Sequence, residues 1–256
     1  MYQNSKRIKL GLNIAIVIVA VVIAFIHLGI DPVRLAVAGP LFLQHLATNF
    51  FPPSLEHIRI YVDATLHTVA FAVVGTFISA IFSFFFALLM AKGIMPYRIV
   101  RLCARFIMTF TRSIPVVIWV AILVFIFGIG SMVGLVALII SITGFLSRSY
   151  AESLDEIAAK KLEPLRANGA TPLQILIHGI LPEFAPAWVN WTLFTFEISI
   201  RASAILGMVG AGGMGVLVQI NLEWRNFDEV ATIIILLIAI VLCAEVFSGM
   251  IRKRLI

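Results

Sequence analysis

Six apolar stretches, separated by more polar segments, make up most of the chain. They cover residues 10–30, 61–91, 114–128, 132–146, 187–208 and 230–249, the third and fourth being short. An apolar stretch of about twenty residues can cross a bilayer as a helix. The pattern therefore predicts six transmembrane helices. The first follows a basic segment and has no small-residue cleavage site after it, so we expect a permanent anchor rather than a signal peptide.

The composition supports an all-α integral membrane protein. Of 256 residues, 61% are hydrophobic and 12% are charged, and the mean hydropathy is +1.08. A water-soluble domain is only about half apolar, so this class is excluded. Cys103 and Cys243 form no C-x-x-C pair, and His27, His67 and His178 have no second ligand at metal-binding spacing. We expect no disulfide, no metal site and no cofactor.

Positive charge predicts the orientation in the membrane. With the N-terminus inside, fifteen of the 19 Lys and Arg residues fall in cytoplasmic segments, and three, Arg34, Arg59 and Arg225, fall outside. Cytoplasmic loops of membrane proteins carry the excess of Lys and Arg, so both termini are expected in the cytoplasm. The predicted organisation is an anchor helix with an external linker (1–60), a core (61–250) and a basic cytoplasmic tail (251–256). A multi-pass membrane protein fits this arrangement.

The longest cytoplasmic segment, between the fourth and fifth predicted spans, has the signals of short helices. Pro164 suits a first helical position, and Gly169 suits a left-handed C-terminal cap. Thr171-Pro172-Leu173-Gln174 has the pattern of a capping box, and Pro182 is expected to end the second short helix. On these residues alone, the segment could lie on the membrane surface or insert into the groove of a partner protein.

A glycine-rich stretch, GMVGAGGMG at residues 207–215, contains the pattern G-x-G-x-x-G. A dinucleotide site would need a strand before it and an acidic residue about twenty positions later. Here the glycines lie between two apolar stretches, so we expect a tight connection at the outer end of two spans. Consecutive amides of Gly210, Gly212, Gly213 and Gly215 could alternatively form an anion-binding nest along a translocation pathway.

Two charged residues, Glu197 and Arg201, lie inside the fifth predicted span. Charges in a span are costly and are usually buried, paired and functional. Their i, i+4 spacing places them on one helical face. Two hypotheses remain open: a structural Glu197–Arg201 ion pair, or a pathway cation at Arg201.

No catalytic site is indicated. The chain has no G-x-x-x-x-G-K-[ST] loop for ATP and no nucleophile–base or carboxylate pair that stands out. We therefore expect a protein that is not an enzyme. An intramembrane enzyme would need a nucleophile and a base within two spans, and a passive channel would need no cytoplasmic coupling element.

The cytoplasmic segment resembles the coupling loop of permease subunits in type I ATP-binding-cassette importers. The usual form is Glu-Ala-Ala, three residues, Gly, nine residues, Ile, one residue, Leu-Pro. Glu163, Gly169, Leu181 and Pro182 match it, whereas Pro164, Leu165 and Gly179 replace the two alanines and the isoleucine.

Two further stretches strengthen this resemblance. FEISIRASAILGMVGAGGMG, residues 196–215, is similar to the corresponding segment of phosphonate permeases, and TRSIPVVIW, residues 111–119, is similar to the entry to the core helices shared by these importers. The resemblance covers about residues 60–250. It implies that Arg112 and Pro115 mark the core-helix entry and that Glu197, Arg201 and the glycines line the pathway.

The resemblance also implies a location in a bacterial inner membrane, partners and a substrate class. A dimeric pore of two permeases, identical or different, would bind separate ATPase subunits through residues 152–178 and receive substrate from an external binding protein, with no role for nucleic acid. The implied coupling residues are Glu163, Arg166, Gly169, Ala170, Leu181 and Pro182. The expected substrate is a phosphonate or related phosphorus oxyanion such as phosphite; another small solute such as an amino acid is the alternative.

Overall fold

The computed structural model describes residues 2–29 and 31–255, and the side chains of residues 11–29 and 31–254. Helices contain 87% of the residues, and the described part of the chain has no strand. The predicted all-α fold class is confirmed. The chain divides into two compact units, residues 1–52 and 53–256.

The first unit contains two helices. They are α1 (Tyr2–His27) and α2 (Pro32–Asn49), which are bent by 78° relative to each other. Asp31 caps α2, and its Oδ1 accepts a hydrogen bond from the Val33 amide at 2.9 Å. The structure thus has a capped helix where the sequence predicts an external linker. Residues 53–60, which the sequence also assigns to that linker, belong to the second unit.

The second unit contains the remaining helices. They are α3 (Ile58–Met90), α4 (Arg98–Ser113), α5 (Val116–Phe127), α6 (Ser131–Ala167), α7 (Pro172–Gln174), α8 (Leu181–Leu206), α9 (Met214–Glu223) and α10 (Phe227–Leu255). Two π-helical turns, Ile175–Ile180 and Gly207–Ala211, adjoin α8 at its two ends.

Four helical segments of the described chain are long and apolar enough to cross a membrane. These are α3, α6, the continuous segment Pro172–Ala211 and α10. Two bent pairs, α1 with α2 and α4 with α5, raise the number to six if each pair is one span. The short third predicted span therefore corresponds to α5 alone, which forms a bent pair with α4. The 90° bend lies at Ile114 and Pro115, and the Trp119 indole donates a hydrogen bond to the Thr111 carbonyl across it, at 3.2 Å.

Helices α3 and α6 form the centre of the second unit, and small residues let them approach closely. A Cβ atom on Gly75 would lie 2.7 Å from Leu138 Cδ2. Ser79 and Ser83 donate hydrogen bonds across the interface to the carbonyls of Ile139 and Thr143, each at 3.4 Å. Small residues and interhelical hydroxyl bonds are the usual means of joining helices in lipid.

Candidate functional site

The predicted coupling segment begins at the end of α6. The helix continues through Pro164 to Ala167, so the expectation of a new helix at Pro164 is wrong. Pro164 lies near the helix end, where its missing N–H removes one backbone hydrogen bond without ending the helix. Glu163 and Arg166 are exposed on these last turns.

Gly169 ends α6 as the sequence predicts. Its φ is +79°, and its amide donates a hydrogen bond to the Arg166 carbonyl at 2.9 Å. The half-buried Ala170 then donates to the Leu165 carbonyl at 3.2 Å. These two bonds satisfy carbonyls that the helix end would otherwise leave unpaired, and the left-handed φ is the reason for a glycine here.

The second half of the segment begins with the predicted capping box. The Thr171 amide donates to Gln174 Oε1 at 2.9 Å, and the Gln174 amide donates to Thr171 Oγ1 at 3.4 Å. Pro182 does not end this helix, because it lies in the first turn of α8, which continues the π-helical turn Ile175–Ile180 without a break. Leu181 begins α8 directly after the π-helical turn. The expected short second helix is therefore the start of a continuous span.

Ion pairs hold the coupling segment to the core. Lys161 Nζ lies 3.0 Å from Glu183 Oε2 and joins α6 to the start of α8. Asp155 accepts hydrogen bonds from the amides of Lys92 and Gly93 and pairs with Arg105 at 3.1 Å. A cavity of about 480 Å³ separates the loop at residues 92–96 from the coupling segment, with apolar walls that include Leu162, Leu173 and Leu176.

The glycine-rich stretch is a tight connection, as the structural interpretation predicts. Gly210, Gly212 and Gly213 have φ of +98°, +88° and +71°. A Cβ atom on Gly215 would lie 1.9 Å from the Ala204 carbonyl oxygen, and one on Gly213 would lie 2.5 Å from Thr68 Oγ1. A residue with a Cβ atom would therefore be strained or would displace its neighbours at these positions.

The glycines do not join two spans directly, however. The helix α9 follows them, and the chain then turns into α10. The Met214 amide at the start of α9 donates to Thr68 Oγ1 at 3.0 Å. This amide therefore already has a partner, and an anion-binding role for the preceding amides stays a hypothesis.

Of the two hypotheses, the structural Glu197–Arg201 ion pair is wrong, because Glu197 pairs with Arg252 instead. Glu197 Oε1 accepts a hydrogen bond from Arg252 Nη2 at 2.6 Å, with 11% of the Glu197 side chain exposed. Arg252 reaches Glu197 because α10 continues to Leu255 and contains the residues that the sequence assigns to a basic tail. Arg201 is exposed, and within the described chain it has no ion pair.

The predicted core-helix entry lies at the break between α4 and α5. Arg112 is exposed in the last turn of α4, and Pro115 precedes the first residue of α5. The backbone at Arg112 packs against Gly144 of α6, where an added Cβ atom would lie 3.0 Å from the Arg112 amide nitrogen. The proline explains the break, because it cannot supply the hydrogen bond that would continue α4.

Sequence reasoning missed a buried carboxylate, Glu229, at the start of α10. It accepts hydrogen bonds from Ser54 Oγ at 3.1 Å and from the Tyr61 hydroxyl, and it lies 2.9 Å from His57 Nδ1. The hydrogen bond to Glu229 raises the pKa of His57 above its ordinary value. These bonds fix the segment before α3 to the first turn of α10. The partners are about 170 residues apart in sequence, so no local pattern indicates them.

Comparisons with known proteins support a transport function. Residues 83–256 match the family described as binding-protein-dependent transport system inner membrane component. The phosphite transport system permease protein of Stutzerimonas stutzeri is 32% identical over 94% of this chain and 88% of its own length. The phosphate-import permease protein of Mycolicibacterium smegmatis is 32% identical over 99% of this chain and 47% of its own. A methionine ABC transporter in an inward-facing conformation gives a TM-score of 0.67 at 27% identity, covering 79% of this chain and 99% of that one.

Proposed function

The chain belongs to the family of binding-protein-dependent transport system inner membrane components, and from this premise we propose that it is the permease of an ATP-binding-cassette importer for a phosphorus oxyanion. Phosphite, phosphonate and phosphate are the members of this substrate class that the relatives suggest. Translocation proceeds by alternating access, and the energy comes from a separate ATPase. The relatives' names are those of transport permeases rather than enzymes.

One observation carries the choice of an anion: the uncompensated charge of Arg201. The nearby carboxylate of Glu197 is neutralised by Arg252, so it does not cancel the field of Arg201. Arg201 shares an exposed face of α8 with Phe194 and Ile205. A cation on a lipid-facing surface is costly, so this face borders an aqueous pathway or a second permease. A fixed cation there lowers the barrier that an anion meets in a low-dielectric region.

The coupling segment supplies the contact with the ATPase. Its exposed residues include Glu163, Arg166 and Pro182, while Leu181 and Ala170 are half-buried beside them. Its rigid attachment to α6 and α8 lets a movement of the ATPase reach the spans without being absorbed by a slack loop. The fold of the inward-facing methionine transporter supports a pair of permeases. An external binding protein delivers the substrate, and both termini lie in the cytoplasm.

A small amino acid is the second candidate substrate. The structural similarity to a methionine transporter favours it. A zwitterionic amino acid carries its own cation, however, so an uncompensated Arg201 attracts it less than it attracts an oxyanion.

Growth of a deletion strain tests the proposal. We expect a strain that lacks this chain to lose growth on phosphite or a phosphonate as the phosphorus source, and to regain it when the gene is restored. Uptake of labelled phosphite and labelled methionine should be measured in the same cells. Loss of methionine uptake with unchanged uptake of all phosphorus oxyanions would overturn the proposed substrate class.

A further inference from the structure

A polar cavity of about 270 Å³ lies where the end of α3, the middle of α4 and the later half of α6 meet. Arg105 and Thr109 of α4 form one wall, Lys92 follows α3, and the remaining wall comes mainly from α6. The cavity has an excess of positive charge, because three cations and two carboxylates line it. These charged residues are Lys92, Arg105, Arg148, Glu152 and Asp155.

The cavity lies at the level where the apolar parts of two helices end. Along α3 and the residue after it, there is no Asp, Glu, Lys or Arg between Asp63 and Lys92. Along α6, the first such residue is Arg148. Charged side chains are costly in hydrocarbon, so the first charges of a spanning helix mark the membrane surface. Since Lys92 and Arg148 both line the cavity, it lies at the depth of lipid headgroups, and the predicted orientation places it in the cytoplasmic leaflet.

An exposed aromatic side chain follows each of the two α4 residues that line the cavity. Phe106 follows Arg105 and is 73% exposed, and Phe110 follows Thr109 and is 57% exposed. Successive residues of a helix are about 100° apart, so the two rings form an apolar stripe directly beside the cavity wall. The exposed Leu102, one turn before Phe106, extends this stripe. An apolar stripe next to cations is typical of a helix that contacts both the tails and the headgroups of lipids.

One cation of the cavity has no ion pair within the described chain. Arg105 pairs with Asp155 at 3.1 Å and Arg148 pairs with Glu152 at 2.7 Å, whereas the Lys92 ammonium pairs with neither carboxylate. Lys92 contributes only its backbone amide to Asp155. A phosphoryl group in the cavity would therefore neutralise the remaining charge without displacing a carboxylate from its arginine.

We propose that this cavity binds the phosphate of an anionic phospholipid whose acyl chains lie along Leu102, Phe106 and Phe110. The phosphodiester oxygens accept hydrogen bonds from the Lys92 ammonium and the Thr109 hydroxyl, both of which can donate. The apolar stripe favours a lipid over free phosphate, because a small anion gains nothing from exposed phenylalanines. This site is independent of the substrate proposed above. Because α4 is the first half of the bent pair with α5, the bound lipid holds that half at the membrane surface.

The test counts lipids bound to the complete transporter, the permease with its ATPase, by native mass spectrometry in detergent. We expect the wild type to bind phosphatidylglycerol in preference to phosphatidylcholine. Lys92→Gln should weaken phosphatidylglycerol binding about fivefold, the effect of one cation near a membrane surface. Phe106→Ala combined with Phe110→Ala should weaken it about tenfold, because the acyl chains lose apolar contacts.

Matched controls come from other exposed residues of the same types. Lys253→Gln removes an exposed lysine from α10, and Phe77→Ala removes a 63% exposed phenylalanine from α3. Both variants should bind phosphatidylglycerol as the wild type does. If Lys92→Gln and Lys253→Gln weaken binding equally, general attraction to positive charge explains it and the site is refuted.

Two further outcomes would overturn the proposal. If inorganic phosphate binds the delipidated transporter and requires Lys92, while the double phenylalanine variant binds phosphatidylglycerol normally, the cavity is a site for a free anion. If the variants reduce assembly of the transporter and leave lipid binding unchanged, this face of α4 is a subunit contact. Neither outcome depends on phosphite uptake, so the proposed function is tested separately.

Discussion

Glu197 and Arg252 connect α8 to the last turns of α10 through a hydrogen bond of 2.6 Å. The pair is mostly buried, with 11% of the Glu197 side chain and 29% of the Arg252 side chain exposed. Removing one partner leaves the other as an uncompensated charge, and this is more costly than losing the pair. Glu197 and Arg252 therefore form a structural ion pair. Arg201, only four residues from Glu197, has no ion pair within the described chain.

A double-mutant cycle tests this assignment. We expect Glu197→Ala and Arg252→Ala each to lower the thermal stability of the purified protein. The double variant should be more stable than the sum of the single effects predicts, with a coupling energy of about 1–3 kcal/mol. The same cycle with Arg201→Ala is the control and should be additive. Coupling of Glu197 to Arg201 instead of Arg252 would contradict the structure.

The close approach at Gly215 gives a second prediction. We expect Gly215→Ala to reduce the amount of folded protein strongly, because its Cβ atom would lie 1.9 Å from the Ala204 carbonyl oxygen and 2.6 Å from the Met208 amide nitrogen. Backbone atoms cannot move away as a side chain can. Gly249→Ala is the matched control, since nothing lies within 4 Å of that position. Protein amount and melting temperature in detergent measure the difference; equal behaviour of the two variants would contradict the packing of this connection.

The sequence predicts the local features well because their causes are local. The capping box at Thr171 and the left-handed Gly169 depend on residues within one turn, and both are confirmed. The ends of helices are harder to predict from sequence, since a proline can lie in the first turn of a helix or in its last turn. The predictions that a helix begins at Pro164 and ends at Pro182 are therefore wrong.

The charged contacts could not be predicted, because they join distant parts of the chain. Glu197 finds its partner 55 residues away, and Glu229 lies against residues from the segment before α3. An i, i+4 pattern shows that two side chains share a helical face, but not which charge on another helix competes for one of them. Only the packing of α8 against α10 decides this.

The predicted orientation leads to a third prediction, which the structure leaves untested. In a background without Cys103 and Cys243, a cysteine replacing Glu56 should react with a membrane-impermeant maleimide in intact cells. A cysteine replacing Lys160 should react only after the membrane is opened, because the excess of Lys and Arg belongs on the cytoplasmic side. Both native positions are exposed, so burial would not confuse the comparison. The reverse labelling pattern would overturn the orientation.

The bond between His57 and Glu229 predicts a pH dependence of stability. The carboxylate raises the pKa of His57 above its ordinary value of 6.5, so the folded state binds the proton more tightly than the unfolded state. The stabilisation is therefore complete below the pKa that His57 has in the unfolded state. It is lost as the pH rises through the higher pKa of His57 in the folded state. We expect the stability advantage of the wild type over His57→Gln to be larger at roughly pH 5.5 than at roughly pH 9. His178→Gln, on the coupling segment, is the control; a difference that grows with pH would contradict this assignment.

The left-handed backbone at Gly169 predicts how the coupling segment responds to substitution. Its φ is +79°, yet a Cβ atom there would meet nothing within 4 Å, so a side chain is opposed by backbone conformation alone. A β-branched residue is strained in this region, whereas asparagine tolerates it. We expect Gly169→Val to displace the turn between α6 and α7, weaken co-purification of the ATPase and reduce uptake, with an unchanged amount of inserted permease. Gly169→Asn should keep most of both activities, which separates the effect of φ from that of added volume. Unchanged co-purification and uptake in Gly169→Val would leave the segment as an interfacial helix with no coupling role.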